Sequence, residues 1–75
     1  MCKAYIYEQH QGYTIYLSDR ELDPDEEYCP HCDASDVLLK ITDDIRDLEK
    51  YLEVYDSVGP EEDLIKQFHE IVRRG

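Results

Sequence analysis

Hydrophobic and polar positions alternate along the first part of the chain and then change period near residue 42. In Lys3 to Glu8, Tyr5 and Tyr7 fall on one face and Ala4 and Ile6 on the other. In Tyr13 to Ser18, Ile15 and Leu17 share a face with Tyr13. These two stretches read as strands of a hairpin, with Gln9 to Gly12 as the turn. Residues 36 to 42, DVLLKIT, read as a third short strand. Beyond it, Ile45, Leu48, Leu52 and Tyr55 recur at helical spacing, flanked by Tyr51 and Val58. Thr42 with Asp43 and Asp44 suits the start of that helix, because carboxylates favour its positive end. Gly59-Pro60 is expected to end it and to open a second helix, whose stripe is Leu64, Ile65, Phe68, Ile71 and Val72. The short link predicts an antiparallel helical hairpin. The expected fold is a single α+β domain over residues 1–75, with strands and a cysteine turn in 1–42 and two helices in 43–75.

A chain of 75 residues buries only about 60–65% of the surface it exposes when unfolded. Domains this small commonly lean on a metal, a disulfide or a partner subunit. Nineteen Asp and Glu stand against eight Lys and Arg, a formal charge of −11. Direct phosphate-backbone binding needs clustered Lys and Arg, and only Arg73-Arg74 stand together. Direct nucleic-acid binding is therefore not expected, and the acidity either keeps a small domain soluble or favours a protein partner with a basic surface. Its densest stretch is the connector DRELDPDEEY, where Asp19, Glu21, Asp23, Asp25, Glu26 and Glu27 are the candidate partner-binding residues. An EF-hand loop does not fit there, since Pro24 and Pro30 occupy the positions that need Gly and Glu. No apolar run is long enough to span a membrane. The odd cysteine count suits a secreted disulfide framework poorly, so a reducing, cytoplasmic setting is expected.

The chemistry of the sequence centres on Cys29-Pro30-His31-Cys32. The tetrapeptide matches the active site of strongly oxidising thiol–disulfide exchange proteins, which would make the chain a redox protein. Such a site needs an apolar strand leading into a helix that lowers the thiol pKa. Here the preceding residues are Pro24-Asp25-Glu26-Glu27-Tyr28, and nearby carboxylates disfavour a thiolate. No later proline precedes a strand to stand beside the dithiol, and no catalytic triad or phosphate-cradling loop is present. The expectation is a non-enzymatic chain.

A Cys-x-x-Cys turn between strands is also the knuckle of a zinc ribbon, with two thiolates converging on one metal. Cys29 and Cys32 are the candidate zinc ligands, and a structural site wants four. Cys2 is the candidate third ligand and His69 the fourth. His10, at the expected turn, would lie about 25 Å away along the strand at about 3.3 Å per residue. A homodimer pooling two cysteine pairs is another way to complete a site, and a metal-free turn is the remaining alternative.

The order AYIYEQHQGYTIYLSD followed by YCPHCDASDVLLKI resembles small single-knuckle, zinc-ribbon-like proteins of bacteria and their phages. The resemblance covers the first half of the chain. It implies a zinc-stabilised β-hairpin fold and a binding adaptor or inhibitor, encoded by a phage and acting on a host protein. A second binding function suits the charge: an acidic mimic that occupies the nucleic-acid site of a basic partner.

Overall fold

The structure is a computed structural model that describes residues 3–9, 14–29, 34–57 and 59–74. The expected hairpin forms from β1 (Ala4–Glu8) and β2 (Thr14–Ser18), paired antiparallel with Tyr5 opposite Ser18 and Tyr7 opposite Tyr16. The third strand is present as β5 (Val37–Thr42), antiparallel to β1 on its other side. Residues 10–12 of the expected turn, with Tyr13, lie outside the described residues, as do Cys2, residues 30–33 and Val58.

Four short elements were not legible in the pattern. The acidic connector contains a helical turn, α1 (Pro24–Glu27), and a two-stranded ribbon of β3 (Tyr28–Cys29) and β4 (Ala34–Ser35). After the first long helix, β6 (Asp56–Ser57) pairs parallel with Thr14 and Ile15. The main sheet therefore has the order β5-β1-β2-β6, with β1 antiparallel to the other three.

The helices are α2 (Ile45–Leu52) and α3 (Glu61–Arg73). The expectation that the first helix runs to Gly59 is corrected: it stops at Leu52. Tyr55 still donates its backbone N–H to Tyr51 O at 2.7 Å. Its side chain then turns to the sheet, where its hydroxyl donates to Glu8 Oε2 at 3.4 Å. Stopping there lets Asp56 and Ser57 pair with Thr14 and Ile15 at the start of β2, an edge a longer helix would leave uncovered there. Gly59 adopts φ of 85°, open to glycine without strain, and Pro60 then precedes α3 as expected.

Thr42 is likewise not a helix cap but the buried last residue of β5. The cap is Asp44, whose Oδ1 accepts from Arg46 N at 3.0 Å. Thr42 supports it, since Oγ1 accepts from Asp44 N at 3.0 Å and donates to Asp47 Oδ2 at 2.5 Å.

One apolar core lies between the helices and the sheet. Ala4, Ile6, Ile15 and Leu17 from the strands meet Leu48 of α2 and Leu64, Phe68 and Ile71 of α3. The alternation of the first strand is as the sequence dictates: Ala4 and Ile6 face the helices, and Tyr7 faces away. Tyr7 is nevertheless fully buried, because the connector covers that second face. The candidate core thus splits into two: a helix-covered face and a tyrosine face.

Core position should dominate the cost of substitution. Leu48→Ala, at a fully buried site, is expected to destabilise the fold by about 2–5 kcal/mol. Val54→Ala, at 79% exposure, should stay within about 0.5 kcal/mol. Urea midpoints at constant slope provide the measurement.

Candidate functional site

The second face of the sheet positions the cysteine ribbon. Tyr7 and Tyr16 sit directly opposite each other on β1 and β2, with rings stacked at 5.6 Å between centroids. Each hydroxyl holds a different part of the connector. Leu22 N donates to Tyr7 Oη at 2.8 Å, ahead of α1. Tyr16 Oη donates to Asp36 Oδ2 at 2.5 Å, just beyond β4. The chain entering the ribbon and the chain leaving it are therefore both tied to one stacked tyrosine pair.

Local chemistry shapes what lies between. Pro24 fits the first position of α1, where no N–H bond is needed. Glu26 Oε2 accepts from Asp23 N at 3.0 Å, which satisfies a donor at the start of that turn. The same Glu26 forms an ion pair with Arg20. Arg20 and the Asp23 N–H together hold the Glu26 carboxyl below its usual range. The ribbon follows at once, with Tyr28 opposite Ser35 and Cys29 opposite Ala34.

The expected metal ligands fall only in part on described residues. Cys29 closes β3 opposite Ala34, the first residue of β4. Cys32 and Cys2 lie outside the described residues. His69 is exposed on α3, edge-on to Phe68 at 6.1 Å. It lines an open groove of about 540 Å³ with Asp43, Asp44, Ile45, Arg46, Phe68 and Val72, in the helical layer. The ribbon's two anchors are on the tyrosine face, so the described geometry does not bring His69 to Cys29. Among the described residues, no group of three or more His, Cys, Asp or Glu side chains is placed to hold a metal ion.

The candidate partner-binding carboxylates stand on the connector itself. Asp19, Glu21, Asp23, Asp25 and Glu26 are all exposed, and Glu27 ends α1. The two nearby cations are already engaged: Arg20 by Glu26, and Arg74 of α3 by Asp19 at 2.9 Å. Glu21, Asp23 and Asp25 carry carboxylates with no ion pair among the described residues, so their charge is open to solvent. None of the described helices is long and apolar enough to cross a membrane.

Residues that sequence reasoning did not single out prove to be the anchors, Tyr16 and Asp36 above all. The only signal was a tyrosine on each strand at matching depth. Nothing in the local pattern pairs Tyr16 with a residue twenty positions later.

A second cluster fixes the start of α2. Asp47 accepts from Thr42 and lies 3.2 Å from Lys40 Nζ. The Thr42 hydrogen bond first, and Lys40 second, lower the Asp47 carboxyl. Arg46 does the same for Asp44. Tyr55 is shifted the opposite way, raised by desolvation and then by the Glu8 charge.

Two outcomes follow from these contacts. Tyr16→Phe should speed amide exchange in the connector, including Leu22, by about tenfold or more, in keeping with about 1.5–3 kcal/mol for a hydrogen bond to a charged group. The β1 amides should change far less. For pH, Glu26, Asp44 and Asp47 have folded pKa values below their unfolded ones. Their contribution is therefore complete above about pH 5 and is lost as pH falls through the folded values. Tyr55 contributes below about pH 10 and loses that contribution as pH rises. Urea midpoints across pH should fall at both ends, and Asp47→Asn should flatten the acid limb.

Comparison with known protein families, with curated proteins and with solved structures finds no match for this chain.

Proposed function

We propose that this chain is a small, acidic, non-enzymatic binding protein, an adaptor or inhibitor that docks on the basic surface of a partner protein in the cytoplasm. The observation that carries this reading is the connector. Its Glu21, Asp23 and Asp25 carboxylates are exposed and unpaired among the described residues, while Arg20 and Arg74 beside them are neutralised. A loop tied at both ends to Tyr7 and Tyr16 presents those charges with less ordering cost on binding than a free loop would. Phage origin and action on a host protein belong to the same proposal and rest on the resemblance of the first half of the chain alone.

Zinc is the cofactor of this proposal, with Cys29 and Cys32 as two of its ligands, Cys2 as a third and His69 as the weakest candidate. Bound zinc would supply a structural crosslink at the tip of the ribbon. The exposed acidic connector also supports the nucleic-acid mimic, since the same charges would meet the phosphate-binding site of a basic partner.

Two measurements test the reading. Capture of a partner should weaken steeply between low and high salt, and Glu21→Lys, Asp23→Lys and Asp25→Lys together should abolish it. Salt-independent capture, or capture that survives the triple change, would sink the charge-based reading. Protein purified without added zinc should hold about one zinc per chain and lose it on Cys29→Ser or Cys32→Ser. Absence of metal, with Cys29 and Cys32 cycling readily against glutathione, would favour the thiol–disulfide alternative instead.

A further inference from the structure

The described residues leave three large apolar side chains exposed: Val54 in a turn, and Val37 and Ile41 on one strand, β5. That strand is the outer edge of the main sheet. At the opposite edge β6 is only two residues long and pairs with Thr14 and Ile15 of β2, so among the described residues β5 is the longest edge strand. Val37 pairs with Glu8, whose side chain reaches Tyr55 under the helices. Ile41 pairs with Tyr5, on the tyrosine face. The two exposed residues therefore lie on opposite faces of the same edge. A helix docked on either face would cover one of them. An added strand covers both, because its own side chains alternate between the two faces.

A second copy of the chain is a poor occupant. The register shifts between Ile6 and Tyr7, leaving Leu39 as an extra residue in β5. That shift puts Val37 and Thr42 on one face and Leu38 and Ile41 on the other. Over the whole strand, antiparallel pairing with a copy matches faces when Val37 meets the copy's Thr42 and Leu38 meets its Ile41. Asp43, exposed one residue past the strand, stands at each end of that pairing and would face another strongly acidic copy. Each copy also carries −11. The one cation on the edge, Lys40, is held by Asp47 and offers little repulsion to an incoming positive charge.

We infer that the outer edge of β5 accepts an extended segment of a basic protein, with alternating β-branched residues over Val37 and Ile41 and Lys or Arg beside the exposed Asp43. The inference rests on the reading of this chain as a binding protein and names the surface and the chemistry of the partner. The Leu39 bulge breaks the ladder at one point, so an indifferent strand gains less there than one that skips a residue.

The test uses the full chain and two synthetic peptides of alternating valine and threonine, one with lysine and one with glutamate at both ends. With lysine peptide at ten times its dissociation constant, outward amides of residues 37–43 should exchange about tenfold more slowly. The glutamate peptide should leave them unchanged, and Asp43→Lys should remove the preference without altering the fold by circular dichroism. Ile41→Lys should abolish the protection. Unchanged β5 exchange with the lysine peptide overturns the inference, as does equal protection by both peptides. Concentration-dependent β5 protection without peptide, matched by a dimer in sedimentation, also overturns it by giving the edge to a second copy. A salt-sensitive partner that binds through the connector and leaves β5 exchange untouched would defeat this inference while sustaining the proposed function.

Discussion

Burial of β1 on both of its faces is the constraint that organises the molecule. Ala4 and Ile6 on one face and Tyr7 on the other are all at 0% exposure. A central strand with large side chains on both sides needs two covers, and here a crossover lies on each face, with α3 after β6 completing the helical one. Both crossovers join parallel strands. The first leaves β2, passes over β1 as the acidic connector and enters β5. The second leaves β5, passes over β1 and β2 as α2 and enters β6. Because the two step in opposite directions across the sheet, crossovers of the same hand must lie on opposite faces. The helices and the connector are found on opposite faces in this way.

The two covers differ in chemistry. The helical face is held by apolar packing, where burying one Leu or Phe side chain is worth about 1.5–3 kcal/mol. The connector is poor in apolar residues and gains little in that way. It is held by polar contacts: Leu22 N to Tyr7, Tyr16 to Asp36, and the Glu26–Arg20 pair that folds α1. Tyrosine suits this task, since its ring fills the space beneath the connector and its hydroxyl reaches a polar partner. The acidity stays on the outer side of that cover, where solvent screens it, and the cysteine ribbon is built into the same cover.

The helical half was legible because a stripe at helical spacing has few other solutions. Leu48, Leu64, Phe68 and Ile71 belong to such stripes and are all in the core. The end of α2 was not legible: Tyr55 continues the stripe, yet it packs on the core from a turn rather than from a helix. β6 is too short to leave an alternation. In the candidate site, Cys29 and the connector carboxylates could be named from residue type and spacing. The Tyr16–Asp36 anchor could not, because that pair is made by strand register and a crossover.

By itself the sequence determined the α+β class, the faces of β1 and β2, the core residues of the helices and the concentration of negative charge in residues 19–27. Those properties depend on local period and composition, which are fixed along the chain. Only the tertiary structure decided that the connector lies across the tyrosine face, that α2 stops at Leu52 so β6 can cover the edge of β2, and that β5 is left as the open edge. Those outcomes depend on which strands become neighbours and on the hand of the connections between them, and no single stretch of residues encodes either.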